Sequence, residues 1–120
     1  MRFAVIGTGA IVEKFISAGS QVPGFSLYAV YSRSKGRGQA FAAEHGAQRS
    51  FDNLADLAAC RKVEAVYIAS PNYAHCAQAL AMLSAGKHVL CEKPMASNAA
   101  EVRRMQACAR AHNVLLLEAM

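Results

Sequence analysis

The stretch that most constrains the fold is Arg2 to Val12, Arg-Phe-Ala-Val-Ile-Gly-Thr-Gly-Ala-Ile-Val. Phe3 to Ile6 is a short apolar run of strand type, Gly7 and Gly9 interrupt it, and a helical pattern follows. A buried strand that turns through glycine directly into a helix lets a pyrophosphate sit on the helix's first amides. Gly7 would make the turn, and Gly9 would let the backbone approach the ligand. Val12 stands at the third small position, where Gly or Ala favours close helix-strand packing, so a wider contact is expected there. Taken alone, the motif is equally compatible with an ordinary strand-to-helix connection.

The rest of the chain alternates in the same way. A helix from Ala10 to about Gln21, with a stripe of Ile11, Phe15 and Ala18, is stopped by Val22-Pro23-Gly24. Phe25 to Tyr31 reads as a second strand, Gln39 to His45 as a helix closed by Gly46, and Ala47 to Ser50 as a short edge strand. Phe51 to Leu57 is a short helix with Asp52 near its start, and Ala65 to Ala69 a buried strand. Pro71 and a capping Asn72 introduce a helix from Tyr73 to Ala85, whose inner face is Cys76, Leu80 and Leu83. Lys87 to Cys91 is the fifth strand. Asn98 and Glu101 have capping-box spacing at the head of a last helix that buries Val102, Met105 and Ala109, and Val114 to Leu117 is a sixth strand. The expected class is α/β: a doubly wound, mostly parallel Rossmann sheet of about six strands, in the order 3-2-1-4-5-6.

The second strand ends at Ser32, about 25 residues after Gly7, where such sheets recognise an adenosine ribose. An acidic residue there would bind both ribose hydroxyls and repel a 2′-phosphate. The segment Tyr31-Ser32-Arg33-Ser34-Lys35-Gly36-Arg37-Gly38 has no acid, two serines and three cations. That composition suits a 2′-phosphate, with Arg33 placed to pair with it or lie over the adenine. Gly36 and Gly38 would loosen the following helix by on the order of 1 kcal/mol each relative to Ala. The alternative is that Arg33, Lys35 and Arg37 are solvated loop charges.

Composition narrows the remaining classes. One hundred and twenty residues suffice for one domain, 1–120, and 54% hydrophobic residues fit a sheet covered on both faces. The formal charge of +5 is spread along the chain, which disfavours a nucleic-acid partner. Cys60, Cys76, Cys91 and Cys108 form no Cys-x-x-Cys pair and are read as reduced. His45, His88 and His112 have no metal-ligand spacing with one another, so no metal site is expected. No run approaches the roughly 20 apolar residues of a membrane span, and the start lacks a targeting pattern; the expected location is cytoplasmic.

Three signals fall at the carboxyl ends of the first, fourth and fifth expected strands: Gly7-Thr8-Gly9, Ser70-Pro71-Asn72 with His75, and Glu92-Lys93-Pro94. Together they make the chain, over essentially all its residues, resemble the N-terminal domain of the glucose-fructose oxidoreductase, inositol dehydrogenase and MocA family. The resemblance implies that Gly7, Thr8, Gly9, Ala10 and Ile11 contact the cofactor pyrophosphate, and Ser32 and Arg33 the adenosine side. It also implies that Ser70, Pro71, Asn72 and His75 lie along the nicotinamide half, with Glu92 and Lys93 at the nicotinamide riboside and substrate and a cis Lys93-Pro94 peptide. The missing acid and the three cations after the second strand make NADP the preferred cofactor, with NAD as the other possibility. Lys93 is the candidate catalytic residue, because hydride leaving a carbinol carbon requires loss of the hydroxyl proton, which a nearby ammonium can stabilise or relay. For His75, and likewise for Glu92, a surface role remains open.

The resemblance further implies a sugar-like or cyclitol small-molecule substrate and a C-terminal α/β substrate domain that these residues do not include. Leu117-Glu118-Ala119-Met120 looks like the strand leading into it, and an uncovered docking surface would favour a homo-oligomer. The alternative to an oxidoreductase half is a non-catalytic NAD(P)-binding sensor or accessory module.

Overall fold

A computed structural model describes residues 1–119; Met120 lies outside the described residues. Six parallel strands form one sheet in the order β3-β2-β1-β4-β5-β6. They are β1 (Arg2–Ile6), β2 (Ser26–Tyr31), β3 (Arg49–Phe51), β4 (Ala65–Ile68), β5 (His88–Glu92) and β6 (Leu116–Ala119). The crossovers are α1 (Ala10–Gly19), α2 (Lys35–His45), α3 (Leu54–Ala59), α4 (His75–Ser84) and α5 (Ala99–Ala111). Strand order reverses between β1 and β4, which leaves a crevice above their carboxyl ends.

Alternation along the central strands explains the two covered faces. Ala4, Ile6, Ala29, Tyr31, Val66 and Ile68 point to one side and join Leu57, Met82, Leu83 and Met105 from α3, α4 and α5. Val5, Val30 and Tyr67 point to the other and meet Val12 and Ile16 of α1 and Phe41 of α2. Each large side chain buried in this way contributes about 2 kcal/mol through removal of apolar surface from water.

Several element boundaries differ from expectation. The inner face of α1 is Val12, Ile16 and half-buried Phe15, so Ile11 and Ala18 lie outside. That helix ends at Gly19, where a Cβ would meet the Phe25 ring at 2.7 Å. α2 begins at Lys35, four residues before the expected Gln39, because the Ser34 hydroxyl caps it by accepting from the Arg37 amide at 3.3 Å. Its glycines therefore do not form a loose loop. Gly38 is a packing position, where a Cβ would lie 3.0 Å from Ser50 Oγ and 3.2 Å from Ser32 Cβ.

β3 is displaced to Arg49–Phe51, and Asn53 rather than Asp52 caps α3, accepting from the Asp56 amide at 3.1 Å. Asn72 is not a helix cap: it opens a 3-10 turn, Asn72–Ala74, and α4 follows without a side-chain cap. The buried face of α4 is His75, Cys76, Ala79, Met82 and Leu83, with Leu80 at its margin. Asn98 does cap α5, accepting from the Glu101 amide at 2.9 Å, while the Glu101 carboxylate returns to the Ser97 amide at 2.9 Å. β6 starts two residues later than expected. Asn113 turns the chain at φ 55°, and the Leu115 amide is taken by His88 Nδ1 at 3.0 Å.

Candidate dinucleotide site

The glycine turn is built as its sequence implies. Gly7 has φ +118°, its amide donates to the Tyr31 carbonyl at 3.2 Å, and a Cβ would sit 2.9 Å from the Ala69 carbonyl oxygen. Only glycine fits there, because both the backbone angle and the approach to β4 exclude a side chain. Val12 is fully buried beside it, so the expected wider contact is a filled one.

Gly9 is different. Its backbone is extended, and a Cβ would meet nothing within 4 Å. The protein itself therefore gives no reason for glycine, whereas a ligand lying against this backbone would. The Val12 and Glu13 amides turn back to the Gly9 carbonyl at 3.1 and 3.3 Å. Those of Ala10 and Ile11, in the first turn of α1, have no protein acceptor among the described residues. Open backbone, free amides and the positive end of α1 suit a pyrophosphate.

Beside this turn lies a cavity of about 370 Å³, within the range of small-ligand sites. It is lined by Ile6, Gly7 and Thr8 at the end of β1, by Tyr31, Ser32, Arg33, Ser34 and Arg37 from the end of β2 into α2, and by Ser70, Pro71, Tyr73 and Gln78 after β4. Ser32 is nearly buried, and its hydroxyl accepts from the Ser34 amide at 3.2 Å, which shapes the turn. The three cations separate: Arg33 and Arg37 line this cavity, whereas Lys35 lines another hollow with Arg49, Phe51 and Asp52.

Ser70 and Pro71, expected along the nicotinamide half, thus share a cavity with Arg33 at the adenosine end. The Ser70 hydroxyl is held by Gln78, a residue the sequence analysis missed. Gln78 lies one helical turn beyond Ala74, and the only signal for it was a polar residue on the edge of an apolar helix face.

At the end of β5, the Tyr67 hydroxyl donates to Glu92 Oε2 at 2.6 Å. Burial pushes the Tyr67 phenol well above its ordinary value, and its hydrogen bond to the negative Glu92 adds to the shift. Its ring stacks on Phe15 with centroids 4.0 Å apart, which fixes the donor that orients Glu92. Sequence reasoning missed this pair; a hydroxyl inside an otherwise apolar strand was its only mark. Glu92 is therefore half-buried and held. Lys93 is exposed, has no hydrogen bond or ion pair among the described residues, and does not line the cavity. The Lys93-Pro94 peptide is cis, as expected.

His75 requires the clearest correction. It is fully buried, with Nδ1 2.9 Å from the Pro94 carbonyl and Nε2 2.8 Å from the Ser70 carbonyl. Neither nitrogen is free for a cofactor or substrate, and the residue is not on the surface. Because carbonyls only accept, the imidazolium form satisfies both contacts and a neutral ring satisfies one. His75 thereby ties the loop after β4 to the loop after β5. Asn72, next to this tie, is exposed.

Cys91 lies directly beneath the β5 loop with no exposure, and burial first, then the Glu118 and Glu92 charges, push its thiol up to about 12. All four cysteines are free. Away from the crevice, Glu13, Glu44 and His45 bring donor atoms within 4.8 Å of one another, a grouping that His-to-His spacing could not reveal. Both carboxylates are exposed, and each lies within 3.5 Å of His45 Nε2.

A parallel doubly wound sheet with a glycine-lined anion turn at its switch point defines a dinucleotide-binding Rossmann domain. The model of the oxidoreductase family with an NAD-binding Rossmann fold, named for Gfo, Idh and MocA, matches residues 1–120, and the chain belongs to that family. It is 48% identical over 120 residues to the scyllo-inositol 2-dehydrogenase (NADP(+)) IolU of Bacillus subtilis (strain 168), covering 100% of this chain and 37% of the relative. An NAD binding oxidoreductase from Klebsiella pneumoniae superposes with a TM-score of 0.93 at 30% identity, over 99% of this chain and 34% of that one. A 3-ketoreductase from Actinomadura kijaniata, solved with TDP-benzene and NADP, gives a TM-score of 0.91 at 31% identity, over 98% and 37%. The chain thus spans little more than a third of the length of these relatives.

Proposed function

We propose that residues 1–120 form the cofactor-binding half of an NADP-dependent oxidoreductase that moves hydride between nicotinamide and a sugar-like or cyclitol carbinol or carbonyl. The observation that carries this reading is the cavity that Gly7 and Thr8 line together with Ser32, Arg33 and Arg37, with no carboxylate among its described lining residues. Two guanidiniums without an acid favour a phosphorylated ribose over a free diol. Thr8, Gly9, Ala10 and Ile11 would hold the pyrophosphate, and Ser32, Arg33 and Arg37 the adenosine 2′-phosphate. When bound, the cofactor supplies the hydride acceptor or donor. Glu92, oriented by Tyr67, would hold the nicotinamide ribose. The Lys93 ammonium would steady or relay the proton of the substrate hydroxyl.

The relatives' names support the substrate class, one being an inositol dehydrogenase and another a ketoreductase. Calorimetric titration of the chain with NADP and NAD tests the cofactor claim. NADP should bind more tightly, and Arg33→Ala should weaken NADP about tenfold or more and NAD by a clearly smaller factor. Equal loss of both, or tighter NAD binding to the parent chain, would remove the 2′-phosphate assignment.

A non-catalytic binding module remains the second reading, favoured by the position of Lys93 outside the cavity. In the whole protein, Lys93→Met should abolish turnover while sparing cofactor affinity; unchanged turnover would favour the module. We also propose a homo-oligomer in the cytoplasm, with no membrane or nucleic-acid partner. Exposed Leu115 and Leu117 near the β6 edge support self-association, which sedimentation would test. Among the described residues, no helix is long and apolar enough to cross a membrane.

A further inference from the structure

Helices α1 and α2 cover the same face of the sheet, and the last residue of α2, His45, lays its ring back on Phe41 with centroids 4.3 Å apart. Its Nε2 is shielded from water and has no hydrogen-bond partner among the described residues. A buried nitrogen left in this way calls for a reason. Two carboxylates face it: Glu13 Oε1, from the first turn of α1, at 3.4 Å, and Glu44 Oε2 at 3.5 Å. A proton on Nε2 lies in the ring plane and aims at one acceptor at most, and here neither oxygen is in line to take it. The chain has 13 lysines and arginines against 8 acids, yet neither Glu13 nor Glu44 pairs with a lysine or arginine among the described residues. An imidazole nitrogen and two carboxylates that converge without hydrogen bonds form a donor set that lacks its cation.

We propose that Glu13, Glu44 and His45 bind a divalent transition ion of the zinc type. Tetrahedral zinc, bonded to nitrogen and oxygen at about 2.0–2.1 Å, sets its ligands about 3.3 Å apart. The two imidazole–carboxylate separations, 3.4 and 3.5 Å, are already near that value. All three donor atoms lie within 4.8 Å of one another, and both glutamates are exposed, so rotation of a side chain closes the remaining gap. An imidazole in the set selects against magnesium and calcium, which take oxygen ligands. The ion's charge offsets both carboxylates, the neutral ring offers its lone pair, and water takes the fourth position. Bound there, the ion ties the first turn of α1 to the last turn of α2, so occupancy stabilises the fold.

The experiment titrates the untagged chain with zinc chloride by calorimetry and with cobalt chloride by visible absorption, alongside Glu13→Gln, His45→Gln and Cys108→Ser. The last variant removes a competing pair of donors, Cys108 Sγ and His112 Nδ1, 3.8 Å apart. One zinc ion should bind per chain in the parent and in Cys108→Ser. Glu13→Gln, an exposed change that leaves the core untouched, should weaken it by at least about tenfold, and His45→Gln by more. Cobalt should give the visible bands of a four-coordinate nitrogen and oxygen site, with no sulfur charge-transfer band. Saturating zinc should raise the melting temperature of the parent and leave that of His45→Gln unchanged. Absence of binding to the parent, parent-like affinity in Glu13→Gln, or loss of binding in Cys108→Ser overturns the proposal.

Discussion

The two mouths along the carboxyl edge of the sheet are finished to different degrees. The β1–β2 mouth brings together a glycine turn, free helix amides, two guanidiniums and an enclosing loop, the set proposed above to hold an adenosine phosphate. At the β5 mouth only the supports are complete. Glu92 is held by Tyr67 and Pro94 by His75, but Lys93 is exposed and has no polar partner among the described residues, beside the edge strand β6. One sheet thus encloses a cavity at its first mouth, whereas at its second it only orients side chains from below.

The difference can be broken at the residue that spans both. His75→Ala removes two buried contacts and leaves two carbonyls unpaired, so it should cost about 3 kcal/mol in denaturant unfolding. It should also weaken dinucleotide binding by loosening Ser70 and Pro71. A loss below about 1 kcal/mol would mean that the two loops are held independently.

The glycine turn gives the next largest effect. Gly7→Ala places a Cβ against Ala69 at a positive φ and should cost about 2 kcal/mol. Gly9→Ala meets no protein atom and should change stability by less than about 0.5 kcal/mol while abolishing most NADP affinity. Thermal melts with and without NADP check both. Equal destabilisation by the two would show that Gly9 is structural.

At the β5 mouth, Tyr67→Phe should cost about 1 kcal/mol and leave adenosine binding intact, since it frees only Glu92. Loss of 2′,5′-ADP affinity in that variant would show that the mouths are coupled through β4. The smallest effect concerns Cys91. Burial holds its thiol up at about 12 in the fold, against an ordinary 9.0 once exposed, so this group costs little stability below pH 9 and the fold loses stability as pH rises from 9 toward 12. Between pH 7 and 9 the loss from this group should be about 0.4 kcal/mol, absent in Cys91→Ala. At pH 8 a thiol reagent should label Cys91 only as the chain unfolds, and prompt labelling would show that the floor of this mouth opens.

Much of this was legible in order along the chain. The alternation of apolar strands and helices dictated a parallel sheet, because each crossover must return right-handed to the same edge, and the reversal after β1 placed the crevice. Gly7 and Asn98 could be read directly, since a positive φ and a helix cap are local demands on one residue. Burial and pairing were not legible. Ile11 and Val12 are adjacent apolar residues, and only the packing of α1 on β1 and β2 puts Val12 inside and Ile11 outside. Arg33, Lys35 and Arg37 look alike in sequence, but the helix started by Ser34 turns Lys35 to another surface.

His75 and Pro94, like Tyr67 and Glu92, are separated in the chain by α4 and its flanking segments, and their contacts exist only once β4 and β5 lie side by side. Sequence alone determined the sheet, its switch point and the anion turn, because these follow from periodicity and backbone freedom. Tertiary structure alone decided that His75 is a tie rather than a donor and that Tyr73 faces a cavity rather than the core. Those roles depend on what lies across the crevice, which is set by packing between segments distant in the chain.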